Sequence, residues 1–371
     1  MIAFDCSSEF VERFRDFLSS AEYRNIDPHS KTGYWERQSD AIDINFSENR
    51  ITIDGKESGA GFDIQPNLSR AKHTIRRIRR LIDKPSLLYS YIRRKTTPSD
   101  SNLSLLDHFD AFDRVMTHDP LAGVEISPYR VNFITMKEQP GVVSSTHDIC
   151  NEFFAKSKYP VSDHTIRAYY FFNILNSYTD LNQAATIIDI GAGNANLLSL
   201  FKTKLKNSTL IDIDLPEVLA FAILYLSDLF PDARLLLPHE AASESRPVRD
   251  FDFVFLTPNQ IELIDDQSID LTINIDSLQE MTHSQIEIYF QMIERCSKDS
   301  SYFFSCNRVD SIPWGRNWPD SERSLPPNRF AEYPWNSSVN KTIIYEICRL
   351  TRLTSLDSHY MRLEQMKSPA T

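Results

Sequence analysis

Hydrophobic positions along this chain change rhythm about halfway. In the first half they recur at helical spacing between polar loops. Phe10, Phe14, Phe17 and Leu18 share one side of a predicted helix, and Ile75, Ile78, Leu81 and Ile82 share one side of another. Between them, 41–53 alternates apolar and polar residues and ends at Asp54-Gly55, which predicts a short hairpin strand. Ser162 is a candidate N-cap. The helical pattern that follows it runs through Ile166, Tyr169, Tyr170, Phe172, Ile174 and Leu175 to about Asn176.

The second half reads differently. Short, continuous apolar runs occupy 186–190, 208–213, 251–256, 269–275 and 301–306. Helical stretches at 197–205, 218–229 and 285–296 separate several of them. A strand that is apolar without alternation is covered on both faces, as in a parallel sheet flanked by helices. The last two strand candidates, 342–350 and 359–363, have only 351–358 between them. That connection suits a hairpin, so an otherwise parallel sheet should end in an antiparallel edge. A boundary near Leu181 divides a mainly helical N-terminal substrate or lid region, 1–180, from an α/β core, 181–371.

Composition narrows the setting. A chain of 371 residues holds a core domain plus a substantial second region. Its 41% hydrophobic and 25% charged residues are ordinary for a globular protein. A net charge of −11 argues against a nucleic-acid partner. The five cysteines are scattered without a Cys-x-x-Cys, which disfavours a disulfide framework or zinc site and makes a reducing cytoplasm the simplest home. The first residues do not read as a signal peptide, and no apolar stretch is long enough to span a bilayer. The basic run 70–95 reads first as a solvated helix face. Contact with a phosphate-bearing acceptor is its sharper alternative. A homodimer is left open.

The chemistry concentrates in the segment Asp189-Ile190-Gly191-Ala192-Gly193-Asn194-Ala195, between a strand and a helix. Gly191 and Gly193 permit backbone conformations and close ligand approach that a Cβ blocks. In a doubly wound sheet this first βα turn lies at the ligand crevice. A dinucleotide site prefers a third glycine where this chain has Asn196, and Asp189 puts next to the loop a carboxylate that repels pyrophosphate. That carboxylate suits a ligand with a cationic amino group or sulfonium and no phosphate, such as S-adenosylmethionine. The second strand ends in Asp212-Ile213-Asp214-Leu215-Pro216. An acid there, about 20 residues after the loop, can accept the ribose hydroxyl hydrogens. Asp212 and Asp214 share one strand face, and Asp214 is nearer the tip.

With the loop and the acid in place, the sequence resembles the class I S-adenosylmethionine-dependent methyltransferases. More narrowly, 214–219 (Asp-Leu-Pro-Glu-Val-Leu), 255–260 (Phe-Leu-Thr-Pro-Asn-Gln) and 274–281 (Asn-Ile-Asp-Ser-Leu-Gln-Glu-Met) resemble the sugar O-methyltransferases of bacterial polysaccharide and natural-product clusters. The resemblance covers roughly 162–363. It implies a Rossmann-like core with a mostly parallel seven-stranded sheet and an antiparallel edge strand. It also implies that Asp189, Gly191 and Gly193 line the methionine and ribose portion and that Asp214 holds the ribose. Pro258, Asn259 and Gln260 would then sit near adenine, and Asn274 would approach the methyl donor. Asn194-Ala195-Asn196 departs from the usual continuation of the loop and puts the seating of the methionine portion in question.

Methyl transfer to a hydroxyl needs a base, a fixed attack angle and exclusion of water. The fourth strand and its loop offer Asp276, Glu280 and His283. Imidazole exchanges protons nearest neutrality, yet Thr282-His283-Ser284-Gln285 also reads as a helix start with an exposed histidine. A divalent metal could hold vicinal hydroxyls through Asp276 and Glu280, but no dedicated ligand cluster favours it. Arg167 and Tyr169 border the core, Tyr169 more as packing. His147, Arg308 and Trp314 are substrate candidates, each with a structural alternative. The acceptor is a small molecule or glycan, with a sugar hydroxyl leading. A non-sugar metabolite and a non-catalytic binding protein remain rival readings, while Asp189 and Asn196 disfavour a dehydrogenase.

Overall fold

The computed structural model describes residues 2–25, 42–55, 148–149, 152–153, 157, 159, 163–311, 327–348 and 359–367. Strand β1 (Ile2–Asp5) opens the chain. Helix α1 (Ser8–Ser19) follows, its N-terminus capped by Ser7, whose Oγ accepts the Phe10 N–H at 3.1 Å. Val11, Phe14 and Phe17 are its buried face, and the short α2 (Ala21–Arg24) starts at Ser20. The alternating stretch 41–53 forms more than one strand. It folds as β2 (Ile42–Ser47) and β3 (Arg50–Gly55), turning at Glu48-Asn49 rather than at Asp54-Gly55. β1 pairs antiparallel with β3 to give a three-stranded sheet.

The rest alternates strand and helix. α3 (Asp163–Tyr178) leads into β4 (Thr186–Ile190), α4 (Asn196–Lys204), β5 (Thr209–Ile213) and α5 (Pro216–Leu229). Next come β6 (Leu235–Leu236), α6 (Pro238–Ala241), β7 (Phe253–Leu256), β8 (Ile269–Ile275), α7 (His283–Cys296) and β9 (Ser297–Arg308). A small ribbon of β10 (Asp310–Ser311) and β11 (Asn328–Arg329) precedes β12 (Lys341–Ile347) and β13 (His359–Gln365).

These strands form an eight-stranded sheet in the order β12-β13-β9-β8-β4-β5-β7-β6. The chain winds outward from β4 in both directions, which makes β4 the switch point of a doubly wound, Rossmann-like sheet. β9, β8, β4, β5, β7 and β6 pair parallel. β13 pairs antiparallel with both β9 and β12, so the reversed strand lies one place in from the edge. The eighth strand is the two-residue β6, too short to leave a sequence pattern.

Alternation along the strands sorts the core onto two faces. Ile187, Leu210, Phe253, Leu271 and Phe304 join α3, α4 and α5 in one cluster; Ile188, Ile211, Val254 and Phe303 join α7 in the other. Phe4, Phe14, Phe17 and Ile51 of the N-terminal sheet and helix belong to the first cluster. Arg13 fixes that contact with a bidentate pair to Glu240, at 2.7 and 2.8 Å. Among the described residues, no helix is long and apolar enough to cross a membrane.

Candidate active site

The loop leaves β4 at Ile190 and turns at once. Gly191 (φ +75°) and Gly193 (φ +62°) both occupy the left-handed region. At Gly191 space is a second constraint, because a Cβ there would lie 2.3 Å from Ser277 Oγ and 2.4 Å from Ser277 Cβ. At Gly193 a Cβ would meet nothing within 4 Å, so the backbone angle alone selects glycine. Asp214, just beyond β5, reaches back to this loop. One carboxylate oxygen accepts the Gly193 N–H at 3.0 Å and the other accepts the Leu215 N–H at 2.7 Å.

Two more acids stand beside it. Asp189 and Asp212 lie in register on β4 and β5, 4% and 1% exposed. Burial, and then the charge of Asp214, pushes Asp189 up to about 8, against the pull of the Arg167 guanidinium. Burial pushes Asp214 up to about 7, opposed by its two backbone N–H donors. Asp212 is raised by burial and then by Asp214 and Asp189, with the Ala192 N–H opposing. Neither Asp212 oxygen has a well-formed hydrogen bond. Clustered carboxylates of this kind are costly unless a positive group or hydroxyl donors meet them. The loop is therefore built for a cation-bearing ligand and against pyrophosphate. The residue at the third-glycine position supports the same reading. Asn196 is buried, and its Oδ1 accepts the Tyr225 hydroxyl at 2.9 Å.

The tip of β8 is organised by amides. Asn274 is fully buried. Its Nδ2 donates to the Ile190 carbonyl at 2.9 Å and to Ser277 Oγ, while its Oδ1 accepts from Asn307 Nδ2 at 2.7 Å. Asn307 Oδ1 accepts the Gln279 N–H at 3.1 Å, and Gln279 Oε1 accepts the Arg308 N–H at 2.7 Å. Asn274 thus holds the loop's entry at the tip of β8. Gln260 is similarly committed. Its Oε1 accepts the Thr257 N–H at 3.0 Å and its Nε2 donates to the Pro238 carbonyl at 2.7 Å, which closes the turn after β7. Pro258 is half-buried and Asn259 is exposed in the same turn.

The three base candidates separate. His283 is the exposed first residue of α7, above the Thr282–Gln285 capping box. Glu280 is half-buried in the short turn 278–280. Asp276 stands at the strand tip with φ +62° and is ion-paired to Arg167 and, at 2.6 Å, to His359 Nε2. Burial would raise its carboxyl, but Arg167, His359 and Arg308 outweigh that and hold it well below the usual carboxylate range. Asp276 is therefore a fixed charge and a poor proton acceptor. Arg308 is exposed at the end of β9, and Tyr169 is buried as packing. His147 and Trp314, with the basic run 70–95, lie outside the described residues. Among the described residues, no group of three or more His, Cys, Asp or Glu is arranged to hold a metal ion.

Sequence reasoning missed His359 and Ser277. The signal for His359 was topological: a strand that runs backward beside β9 must begin at the ligand edge of the sheet. Ser277 carries no motif, and only its contact with Gly191 reveals it.

A doubly wound sheet with a glycine loop at its switch point and an acid at the tip of the second strand defines a nucleoside-type ligand site. No family model matches this chain, and no curated protein matches it. Among solved structures, the chain is similar to the PH0226 protein of Pyrococcus horikoshii OT3, at 14% identity over 56% of this chain and 92% of that one, with a TM-score of 0.36. It is also similar to the geranyl diphosphate C-methyltransferase of Streptomyces coelicolor A3(2), at 10% identity over 55% and 80%, with a TM-score of 0.39. A third similarity is to the fibrillarin pre-rRNA processing protein of Methanococcus jannaschii, at 11% identity over 51% and 69%, with a TM-score of 0.33.

Proposed function

We propose that this chain is an S-adenosylmethionine-dependent O-methyltransferase acting on a sugar hydroxyl. One observation carries the cofactor reading. Asp214 closes onto the Gly193 N–H at 3.0 Å, beside two buried acids whose charge has no counter-ion in the loop. S-adenosylmethionine brings an ammonium, a sulfonium and ribose hydroxyls to such a site, and no phosphate. In this reading Asp214 accepts from the ribose hydroxyls, and Asp189 and Asp212 face the cationic methionine portion. Gly191 and Gly193 let the backbone approach the ligand.

The acceptor assignment rests on the motifs at 214–219, 255–260 and 274–281. The N-terminal region, 1–180, supplies the acceptor's contacts in this proposal. Its described part docks on the same face of the sheet as Asp189 and Asp212. Methyl-labelled cofactor offered to a panel of free, nucleotide-linked and lipid-linked sugars tests it. The expected product gains one methyl, on oxygen. Label transferred instead to an amine or a non-sugar hydroxyl in a parallel metabolite panel would overturn the sugar assignment. For the cofactor half, Asp214→Ala should weaken S-adenosylmethionine binding about 10- to 100-fold. That matches the loss of a hydrogen bond to a charged group, about 1.5–3 kcal/mol.

A further inference from the structure

Positive charge gathers at the ligand edge of the sheet, on the face that also holds the acids beside the glycine loop. Along β9, Phe304 and Cys306 belong to the core cluster of α3, α4 and α5, so Arg308, two residues on, ends the strand on that face. Along β13, Met361 and Leu363 belong to the same cluster, which puts His359 on that face too, in register with Arg308. Asp189 and Asp212 follow Ile187 and Leu210 onto it from β4 and β5. Arg167 comes to the same place from α3. Asp276 meets this charge from the tip of β8. It is ion-paired to Arg167 and lies 2.6 Å from His359 Nε2, and Arg308 acts on it electrostatically. Asp310, the next acid after Arg308 in the chain, is taken up by Arg329 at 3.3 Å. Arg308 itself is exposed, and its backbone is fixed by Gln279 Oε1, which accepts its N–H at 2.7 Å. Among the described residues its guanidinium enters no ion pair or hydrogen bond.

We propose that Arg308 binds an anionic group of the acceptor, so that the sugar methylated here carries a carboxylate or a phosphate. The proposal deepens the sugar reading above and rests on it. Arg167 and Asp276 offset each other, which leaves the charge of Arg308 for a ligand, and His359 adds to that surplus whenever it is protonated. A guanidinium offers a planar fork of donors that matches either anion with two parallel hydrogen bonds. The anion then sits on the β9–β13 side of the crevice, and the ammonium and sulfonium of the donor sit at the acids on the β4–β5 side. Donor and acceptor are sorted by charge along one edge. The sorting also protects the chemistry. A carboxylate or phosphate oxygen beside the sulfonium would compete for the methyl group, and holding it at Arg308 leaves the hydroxyl as the group that faces the donor.

The test extends the labelled-cofactor panel with acceptors matched except in charge: each neutral sugar beside its uronic acid and its sugar phosphate. An anionic member should lead its neutral parent in kcat/KM by about tenfold or more. Whether the uronic acid or the phosphate leads identifies the anion. Arg308→Ala should raise KM for that acceptor about 10- to 100-fold, the usual worth of hydrogen bonds to a charged group. Its kcat, and its calorimetric affinity for S-adenosylmethionine, should stay within about twofold, as for a group that binds substrate and transition state alike. Arg308→Lys keeps the charge without the fork and should fall between the two. Added salt should raise KM in the wild type and leave it flat in Arg308→Ala. Neutral sugars turned over as well as anionic ones, or an unchanged KM in Arg308→Ala, overturn this proposal alone. So does an Arg308→Ala protein that loses cofactor affinity in step with acceptor affinity, since that marks a structural role. Label that reaches no sugar in the panel overturns the parent reading, and this proposal with it.

Discussion

The two ends of the ligand edge are built on opposite principles. At the β4–β5 end the acids Asp189, Asp212 and Asp214 lie within 26 residues of chain and stand together. Two of them are pushed up to about 8 and about 7. At the β8–β13 end a single acid is met by Arg167, His359 and Arg308, drawn from 167 to 359, and is held down. The second end meets its acid with cations, whereas the first packs buried acids together. Buried acids so placed favour a cationic ligand, which restores their charged form. The contrast also explains what a motif can encode. βα turns are short, so a loop and the next strand's acid keep a fixed spacing. An ion-paired cluster assembled by sheet order has no spacing to read.

The largest effect should come from the loop. Gly191→Ala combines a left-handed backbone, worth about 1–2 kcal/mol, with a clash at Ser277. Calorimetry should show S-adenosylmethionine affinity reduced well beyond tenfold. Gly193→Ala has the backbone penalty and open space, so its loss should stay near tenfold or below. Equal effects in the two variants would mean that the Ser277 contact is not what shapes the turn.

Next comes the amide network that joins the two ends. Asn274→Ala removes one donor from the Ile190 carbonyl, which keeps the Ser277 hydroxyl, and one acceptor from Asn307 Nδ2, which keeps Ser305 Oγ. Two such hydrogen bonds, at about 0.5–1.5 kcal/mol each, come to about 1–3 kcal/mol. At about 2–4 °C for each kcal/mol in a domain of this size, thermal melting should fall by roughly 2–12 °C. An unchanged Tm would show that water replaces the side chain.

The smallest effect is a pH dependence, and it separates the two ends by sign. Asp189 and Asp214 have folded values above the ordinary 3.8. The folded state therefore binds more protons, and their contribution is fully present below about 3.8 and lost as pH rises through about 7 to 8. Asp276, held low, contributes stability that persists across that window and is lost only in strong acid. The ligand-free protein should melt a few degrees lower at pH 8.5 than at pH 6. Bound S-adenosylmethionine should flatten the difference. A rising Tm over the same range would contradict the buried-acid account.

Much of the fold was legible because burial on both faces writes a strand as an unbroken apolar run, as at 186–190 and 269–275. β6 was not, since two leucines make no pattern. The hairpin at 41–55 was legible as alternation, but its turn was misplaced because Asp54-Gly55 is the stronger local turn signal. In the site, Gly191, Gly193 and Asp214 could be read from spacing, and the structure brings them together. The fates of Asn274 and Gln260 could not. An amide at a strand tip serves equally well as a ligand contact or as a clamp on the backbone, and only the positions of Ile190, Asn307 and Pro238 decide between them. His283 suits a base by residue type, and the structure places it as the exposed first residue of α7, between Thr282 and Gln285 of the capping box.

The central claim is that the three-acid loop receives a cationic, phosphate-free nucleoside donor. Titration calorimetry of the wild-type protein with S-adenosylmethionine and with NAD, run side by side, tests it most directly. The account predicts saturable binding of S-adenosylmethionine that weakens as pH falls below about 7, and no comparable binding of NAD. Tighter binding of NAD would contradict it.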